Sequence, residues 1–235
     1  MVVVNSIPDS NLLIEAMPAK ARQRVLDQSE RVDLSFGDIL CEPEQPFRYV
    51  YFPTSGFISL VAVVGKHPPL EMGLIGTEGM LGVTMALGVA AAPLRGVVQG
   101  PGAALRMSAS AFEAELARSP SLNRSLHCYL YVLMAQLTQT AACTRFHEID
   151  KRLARWLLMT HDRAHADHFH LTHQFLADML GVQRSAVTIA AGELQKQKLI
   201  RYTRGEIRIL DRPGLEAAAC ECYAAVIHDY AASMA

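Results

Sequence analysis

Gln183, Arg184, Ser185 and Thr188 stand at the start of a segment whose other side is apolar, formed by Val182, Ala186, Val187 and Leu194. On a helix this spacing turns the four polar side chains away from a core. Arginine is the side chain best matched to guanine O6 and N7, and the N-terminal residues of a helix entering the major groove are the ones that reach base edges. Upstream, Thr172 is an N-cap candidate with His173 and Gln174 beside it, and a helix start of this kind can hold a phosphate. Downstream, Arg204 precedes Gly205 between two β-rich runs and can reach a neighbouring phosphate.

Two other groups of residues carry chemistry by type. His161, His165, His168, His170 and His173 lie close together in sequence, at spacings able to ligate zinc or nickel or to titrate near neutral pH. They make no tetrahedral ligand pattern and are interleaved with Asp162, Arg163 and Asp167, so they read as a polar loop and no metal site is expected there. The five cysteines, Cys41, Cys128, Cys143, Cys220 and Cys222, lack metal-finger spacing and form no four-cysteine iron–sulfur set. They read as reduced thiols of a cytoplasmic protein, with Cys220 and Cys222 directed apart if both lie on one helix. No cofactor is expected.

The elements that must position these residues follow from the surrounding pattern. Phe175, Leu176 and Met179 give a first short helix its apolar face, and Gly181 stands where a left-handed residue ends it. The segment from Gln183 then opens a second helix, so the pair forms a helix-turn-helix. Leu199–Tyr202 and Glu206–Leu210 read as two strands joined at Arg204-Gly205, a wing.

Before this region a long helix is predicted from Ser119-Pro120 to about Thr144, with Leu122, Leu126, Leu130, Leu133, Leu137 and Ala141 at three- and four-residue steps. Pairing with the same helix of a second copy would bury that seam at Leu126, Leu130, Leu133 and Leu137; packing on the chain's own β domain is the alternative. Glu148–His161 continues helical. Near the start, Asn11–Ser29 has helical spacing interrupted by Pro18. Between these helices short β-rich runs, Val32–Phe36, Tyr49–Phe52, Phe57–Val64, Gly96–Gln99 and Ala103–Met107, alternate with turn signals at Phe36-Gly37-Asp38, Pro53–Gly56 and Gly100-Pro101-Gly102. Gly73, Gly76, Gly79 and Gly82 recur every third residue.

The 235 residues suffice for two cores. The net charge of −1 hides an asymmetry: Arg145–Arg212 holds twelve Lys and Arg against eight Asp and Glu, which suits a polyanion partner. No apolar stretch is long enough to span a membrane, and Met1–Pro8 lacks the basic region and cleavage-like site of a secretion signal. No Walker loop, nucleophile–base pair or paired-carboxylate motif is present, so an enzyme is not expected.

The order of these parts resembles the Crp/Fnr family of bacterial transcription regulators over nearly the whole chain. Phe36-Gly37-Asp38, Tyr51–Gly56, Ile75–Gly79 and above all Leu171–Val187 carry the resemblance. It implies an α+β fold with a jelly-roll-like N-terminal β-roll over residues 1–118, a dimerisation helix over 119–146 and a winged helix-turn-helix over 147–235. It implies a homodimer bound to duplex DNA at an inverted repeat, with RNA polymerase as a further partner and Arg184 as the base-reading arginine. Ser185 stands where the family often has glutamate, and Ile189 where it often has a second arginine, so a different target site is expected. Cyclic-nucleotide binding in the family uses a Gly-Glu-x-Gly turn and an Arg-Ser pair. Here the turn reads Gly76-Thr77-Glu78-Gly79 and the nearest arginine, Arg95, precedes Gly96. Gly76, Thr77, Glu78, Gly79 and Arg95 are the candidate effector pocket, with a ligand other than a cyclic nucleotide, or none, expected. The alternative function is a ligand- or metal-sensing module whose winged helix contacts a protein.

Overall fold

The computed structural model describes residues 10–234, so the reading of Met1–Pro8 lies outside the described residues. The chain runs α1 (Leu12–Glu15), α2 (Ala19–Asp27), β1 (Glu30–Leu34), β2 (Ile39–Cys41), β3 (Tyr49–Ala62) and β4 (Leu70–Ile75). A 3-10 turn at Val83–Leu87 follows, then β5 (Arg95–Ser108), α3 (Ala109–Arg118) and the long α4 (Pro120–Phe146). The remainder is α5 (Ile149–Ala164), β6 (His168–His170), α6 (His173–Leu180), α7 (Arg184–Lys196), β7 (Ile200–Thr203), β8 (Glu206–Ile209), α8 (Arg212–Ala218) and α9 (Cys222–Met234). This is the expected α+β arrangement: an N-terminal β-roll, a long helix and a C-terminal winged helix-turn-helix. Two compact units result, residues up to 59 with 75–130, and residues 60–74 with 131–234.

In the first unit β1 and β2 pair antiparallel with β5, with Val32 opposite Ala104. The whole five-stranded sheet has the order β1-β5-β3-β4. The turns expected at Pro53–Gly56 and Gly100–Gly102 do not form; β3 and β5 each run unbroken through them. Gly56 sits at φ +69°, and a Cβ there would lie 2.3 Å from the Gly100 carbonyl oxygen. A Cβ on Gly102 would lie 2.4 Å from the Ser55 carbonyl oxygen. The glycines therefore serve close approach of two paired backbones rather than chain reversal. The Thr54 hydroxyl donates to the Ala103 carbonyl at 3.2 Å, and the Ala103 N–H donates to the Ser55 hydroxyl at 3.0 Å, side-chain bonds that join the two strands at this point.

The second unit is built around Leu153, Leu157, Leu176, Val187, Leu194, Ile207 and Leu215, all buried. The helices α5, α6, α7 and α8 supply most of this core, and a three-stranded sheet in the order β6-β8-β7 covers it. Within this unit β4 is also tied to α5, the Trp156 indole N–H donating to Glu71 at 2.7 Å in a buried position. Farther along β4, Gln136 of α4 accepts from the Leu74 N–H at 2.7 Å and donates to the Leu74 carbonyl at 3.2 Å. No helix among the described residues is long and apolar enough to cross a membrane.

Candidate nucleic-acid interface

Local chemistry sets the entry and exit of α6. The Thr172 hydroxyl caps the helix by accepting from the Phe175 N–H at 3.1 Å. At the far end Gly181 adopts φ +65°, its N–H donating to the Asp178 carbonyl, while the Val182 N–H reaches back to the Ala177 carbonyl at 2.9 Å. This pair of bonds is the helix stop that glycine permits. The buried Arg152 of α5 donates to the Leu180 carbonyl, so the turn is held from the core side as well.

The turn delivers the chain into α7 with Gln183 at the N-cap, where its side chain makes no capping hydrogen bond. Val187, Ala190, Ala191 and Leu194 face the core. Gln183, Arg184, Ser185 and Thr188 are all exposed, so the structure brings these four expected readers onto one free surface at a helix start. Ile189 joins them at 73% exposed. Backbone N–H groups of the first turn add a partial positive charge at the same place.

Thr172 and Gln174 are exposed, but both side chains are engaged locally, Gln174 donating to Asp178 at 2.9 Å. His173 turns inward, with Nδ1 2.9 Å from the Thr188 hydroxyl and its ring stacked on Tyr202 at 4.1 Å. Burial, with the Arg184 charge second, lowers its pKa from the ordinary histidine value. The imidazole is thus bonded within the protein, to the side chain of Thr188 on the reading helix.

The wing carries a feature that sequence reading missed. Arg204 sits exposed at its tip at φ +53°, next to Gly205 at φ +88°. Behind the tip, His168 pairs with Arg208 and Arg208 with Arg201 across the three strands. All three are exposed, and neither arginine is drawn into an ion pair among the described residues. Directly opposed like charges destabilise a sheet, and an anion laid across them removes the penalty. The signal was present as an alternation, since Arg201 and Arg208 occupy outward positions of strands whose inward positions are Ile200, Ile207 and Ile209.

The other expected sites are arranged as follows. In the turn at 76–79 the Glu78 carboxylate folds back to accept from the Gly76 N–H at 3.2 Å, and Asn11 donates to the Gly79 carbonyl at 2.8 Å. The Tyr129 ring occupies the space where a Cβ on Gly79 would stand. Arg95 pairs with Glu42 at 2.9 Å. The Thr77 carbonyl accepts from the Leu12 N–H at 2.7 Å, so each of the candidate effector residues has a partner within the chain, the Arg95–Glu42 pair being partly exposed. Along α4, Leu126 is fully buried and Leu133 nearly so within the chain itself, Leu130 and Leu137 are half-buried, and Tyr131, Met134 and Phe146 are the exposed large apolar positions.

Three of the five histidines of 161–173 have separate partners: His161 with Asp167 and Arg212, His170 with Glu206, His173 with Thr188. The expectation of no cofactor needs correction at another place. Cys143, His147, Cys220 and Cys222 converge, with one ligand atom from each lying within 4.8 Å of the others, a group able to hold a metal ion. Cys220 and Cys222 do not point apart, because they do not share a helix: Cys220 lies between α8 and α9, and Cys222 is the first residue of α9. The local signal was Cys143 and His147 four residues apart at a helix end, which places them on one side.

Comparison with known proteins gives the same picture for this unit. Residues 151–218 match the family model of the Crp-like helix-turn-helix domain. No curated protein matches the chain by sequence. Among solved structures, FixK2 from Bradyrhizobium japonicum superposes with a TM-score of 0.69 at 15% identity, covering 82% of this chain and 98% of that one. A Crp/Fnr-family transcriptional regulator of Thermus thermophilus gives 0.67 at 24% identity over 81% and 98%. The c-di-GMP-responsive global regulator CLP of Xanthomonas campestris gives 0.66 at 18% over 82% and 99%. At these identities the likeness is one of fold.

Proposed function

We propose, from the premise that residues 151–218 form a Crp-like helix-turn-helix domain in a chain with the Crp/Fnr fold, that this protein is a sequence-specific DNA-binding transcription regulator. One observation carries the reading: Gln183, Arg184, Ser185, Thr188 and Ile189 form an exposed face at the start of a helix whose opposite face is locked into the core. In the major groove Arg184 donates to a guanine, Thr188 and Ser185 make shorter polar contacts, and Ile189 offers an apolar surface to a thymine methyl group. The row His168, Arg208 and Arg201, with Arg204 at the tip, supplies phosphate contacts that position the reader without reading sequence.

The working form is a homodimer on an inverted repeat, its two α7 helices about 34 Å apart, one turn of DNA. In this reading residues 1–118 form the effector domain, 119–146 the dimerisation helix and 147–235 the DNA-binding domain. Tyr131, Met134 and Phe146 are the large apolar α4 side chains left exposed to meet a second copy. Any effector acts by shifting the population of DNA-competent dimers, and RNA polymerase is the partner at a promoter.

Selection of bound fragments from genomic DNA tests this reading. A shared inverted repeat with half-sites about ten base pairs apart supports it. A collection enriched for no common motif, with or without small-molecule extracts, counts against it.

A further inference from the structure

The buried face where α4 ends carries chemistry unrelated to DNA contact. Cys143 lies in the last turn of α4, and His147 is the first residue past its end. Cys220 and Cys222 bracket the corner between α8 and α9. All three thiols are at most 4% exposed. Cys143 Sγ and Cys220 Sγ are 3.5 Å apart, and Cys222 Sγ is 3.4 Å from His147 Nδ1.

These separations fit one small ion. Zinc bonds of about 2.3 Å to sulfur and about 2.0–2.1 Å to nitrogen at tetrahedral angles set ligand atoms about 3.5–3.8 Å apart. The widest pair of the cluster, within 4.8 Å, closes with about 1 Å of side-chain movement.

The surroundings match a ligated set rather than a chance meeting of thiols. His147 presents Nδ1 to the sulfur side and its Nε2 to Glu221 at 3.1 Å, which is how an outer carboxylate orients a metal-bound imidazole. The Gln139 amide donates to Cys222 Sγ at 2.9 Å, a bond that favours thiolate. Three thiolates and a divalent ion leave one negative charge, and the guanidiniums of Arg152 and Arg155 stand close enough to interact with these thiols. Two thiols alone would suffice for a disulfide; a third thiol and an oriented imidazole at the same point are the donor set of a metal.

We propose that Cys143, His147, Cys220 and Cys222 form a closed tetrahedral site for zinc, which fastens the end of α4 to the α8–α9 corner. Four protein ligands leave no open position, so the ion is structural and supplies folding free energy to the junction. The proposal is independent of the DNA-binding reading, because its measurement involves no DNA.

The full-length protein, purified under reducing conditions without chelator, is assayed for metals by mass spectrometry. About one zinc per chain is expected, falling at least tenfold in Cys222→Ser. Cobalt added to metal-stripped wild type gives the visible bands of a tetrahedral thiolate site, with no variant needed should Cys222→Ser fail to fold. His147→Cys keeps the metal and strengthens the sulfur-to-cobalt charge-transfer band. Wild type that takes up neither zinc nor cobalt while all five thiols titrate as free overturns the proposal. So does iron with inorganic sulfide in place of zinc, or a Cys143–Cys220 disulfide with no metal uptake after its reduction.

Discussion

His173 Nδ1 lies 2.9 Å from the hydroxyl of Thr188, and that hydroxyl is also 3.0 Å from the Arg184 carbonyl. A hydroxyl has one proton to give. Thr188 donates it to the carbonyl, so the imidazole is the donor toward Thr188 and carries its proton on Nδ1. Nε2 is buried without a partner, which suits a bare lone pair and not a second N–H. One neutral histidine thereby couples the start of α6 to the reading face of α7, and its stacking on Tyr202 adds the wing.

This arrangement predicts a pH response. Burial, then Arg184, holds the His173 pKa below the ordinary value of 6.5. The unfolded chain therefore takes up a proton more readily than the folded one. The stabilisation is complete above about 6.5 and is lost as pH falls below it. Urea midpoints measured on either side of that range should drop on the acid side for wild type, and His173→Gln should shrink the drop. An equal acid loss in both proteins would remove His173 from this role.

The turn between the helices predicts a second effect. Gly181→Ala must hold a side chain at φ +65° with its Cβ 2.8 Å from Leu70 Cδ1. The left-handed backbone costs about 1–2 kcal/mol, and the Leu70 methyl can swing aside. Chemical denaturation should show that loss, and Leu70→Ala in the same chain should restore little of it. Full restoration would assign the cost to crowding and not to the backbone.

The wing predicts opposite signs for stability and binding. Arg208→Ala removes one of two directly opposed cations, so the free protein gains about 0.2–1 kcal/mol. The same change removes a phosphate contact, lowering affinity for all duplexes alike and reducing the slope of log affinity against log salt by about 1. Melting curves and salt titrations read the two quantities separately. A variant that melts lower and binds as before would place Arg208 outside the interface.

Ile189 predicts a change of preference more than of strength. A large apolar side chain at 73% exposure on the reading face has a thymine methyl as its natural contact. Ile189→Ser should weaken selection for thymine at one position of each half-site, with other positions unchanged. A selected motif identical to wild type would show that the side chain faces solvent in the complex.

Much of this was readable from residue order, for identifiable reasons. The stretch from Thr172 to Val187 is local: a cap, an apolar stripe and a glycine stop each act within a few residues, so sequence spacing carries them. The wing tip at Arg204-Gly205 is local too. The close approach of Ser55 and Gly56 to Gly100–Gly102 depends on strands far apart in sequence, where glycine for close approach looks the same as glycine for a turn. The convergence of Cys143 and His147 with Cys220 and Cys222 closes a long loop through the whole second unit. The inward turn of His173 required knowing where Tyr202 would lie.

Fluorescence anisotropy of wild type and Arg184→Ala on the selected inverted repeat and on a scrambled duplex, at one moderate salt concentration, separates base reading from phosphate contact. Wild type is expected to discriminate between the two. Arg184→Ala should lose about 1–3 kcal/mol per contact on the repeat while binding the scrambled duplex nearly as before. Sequence-specific affinity retained undiminished in Arg184→Ala would contradict the proposed reader.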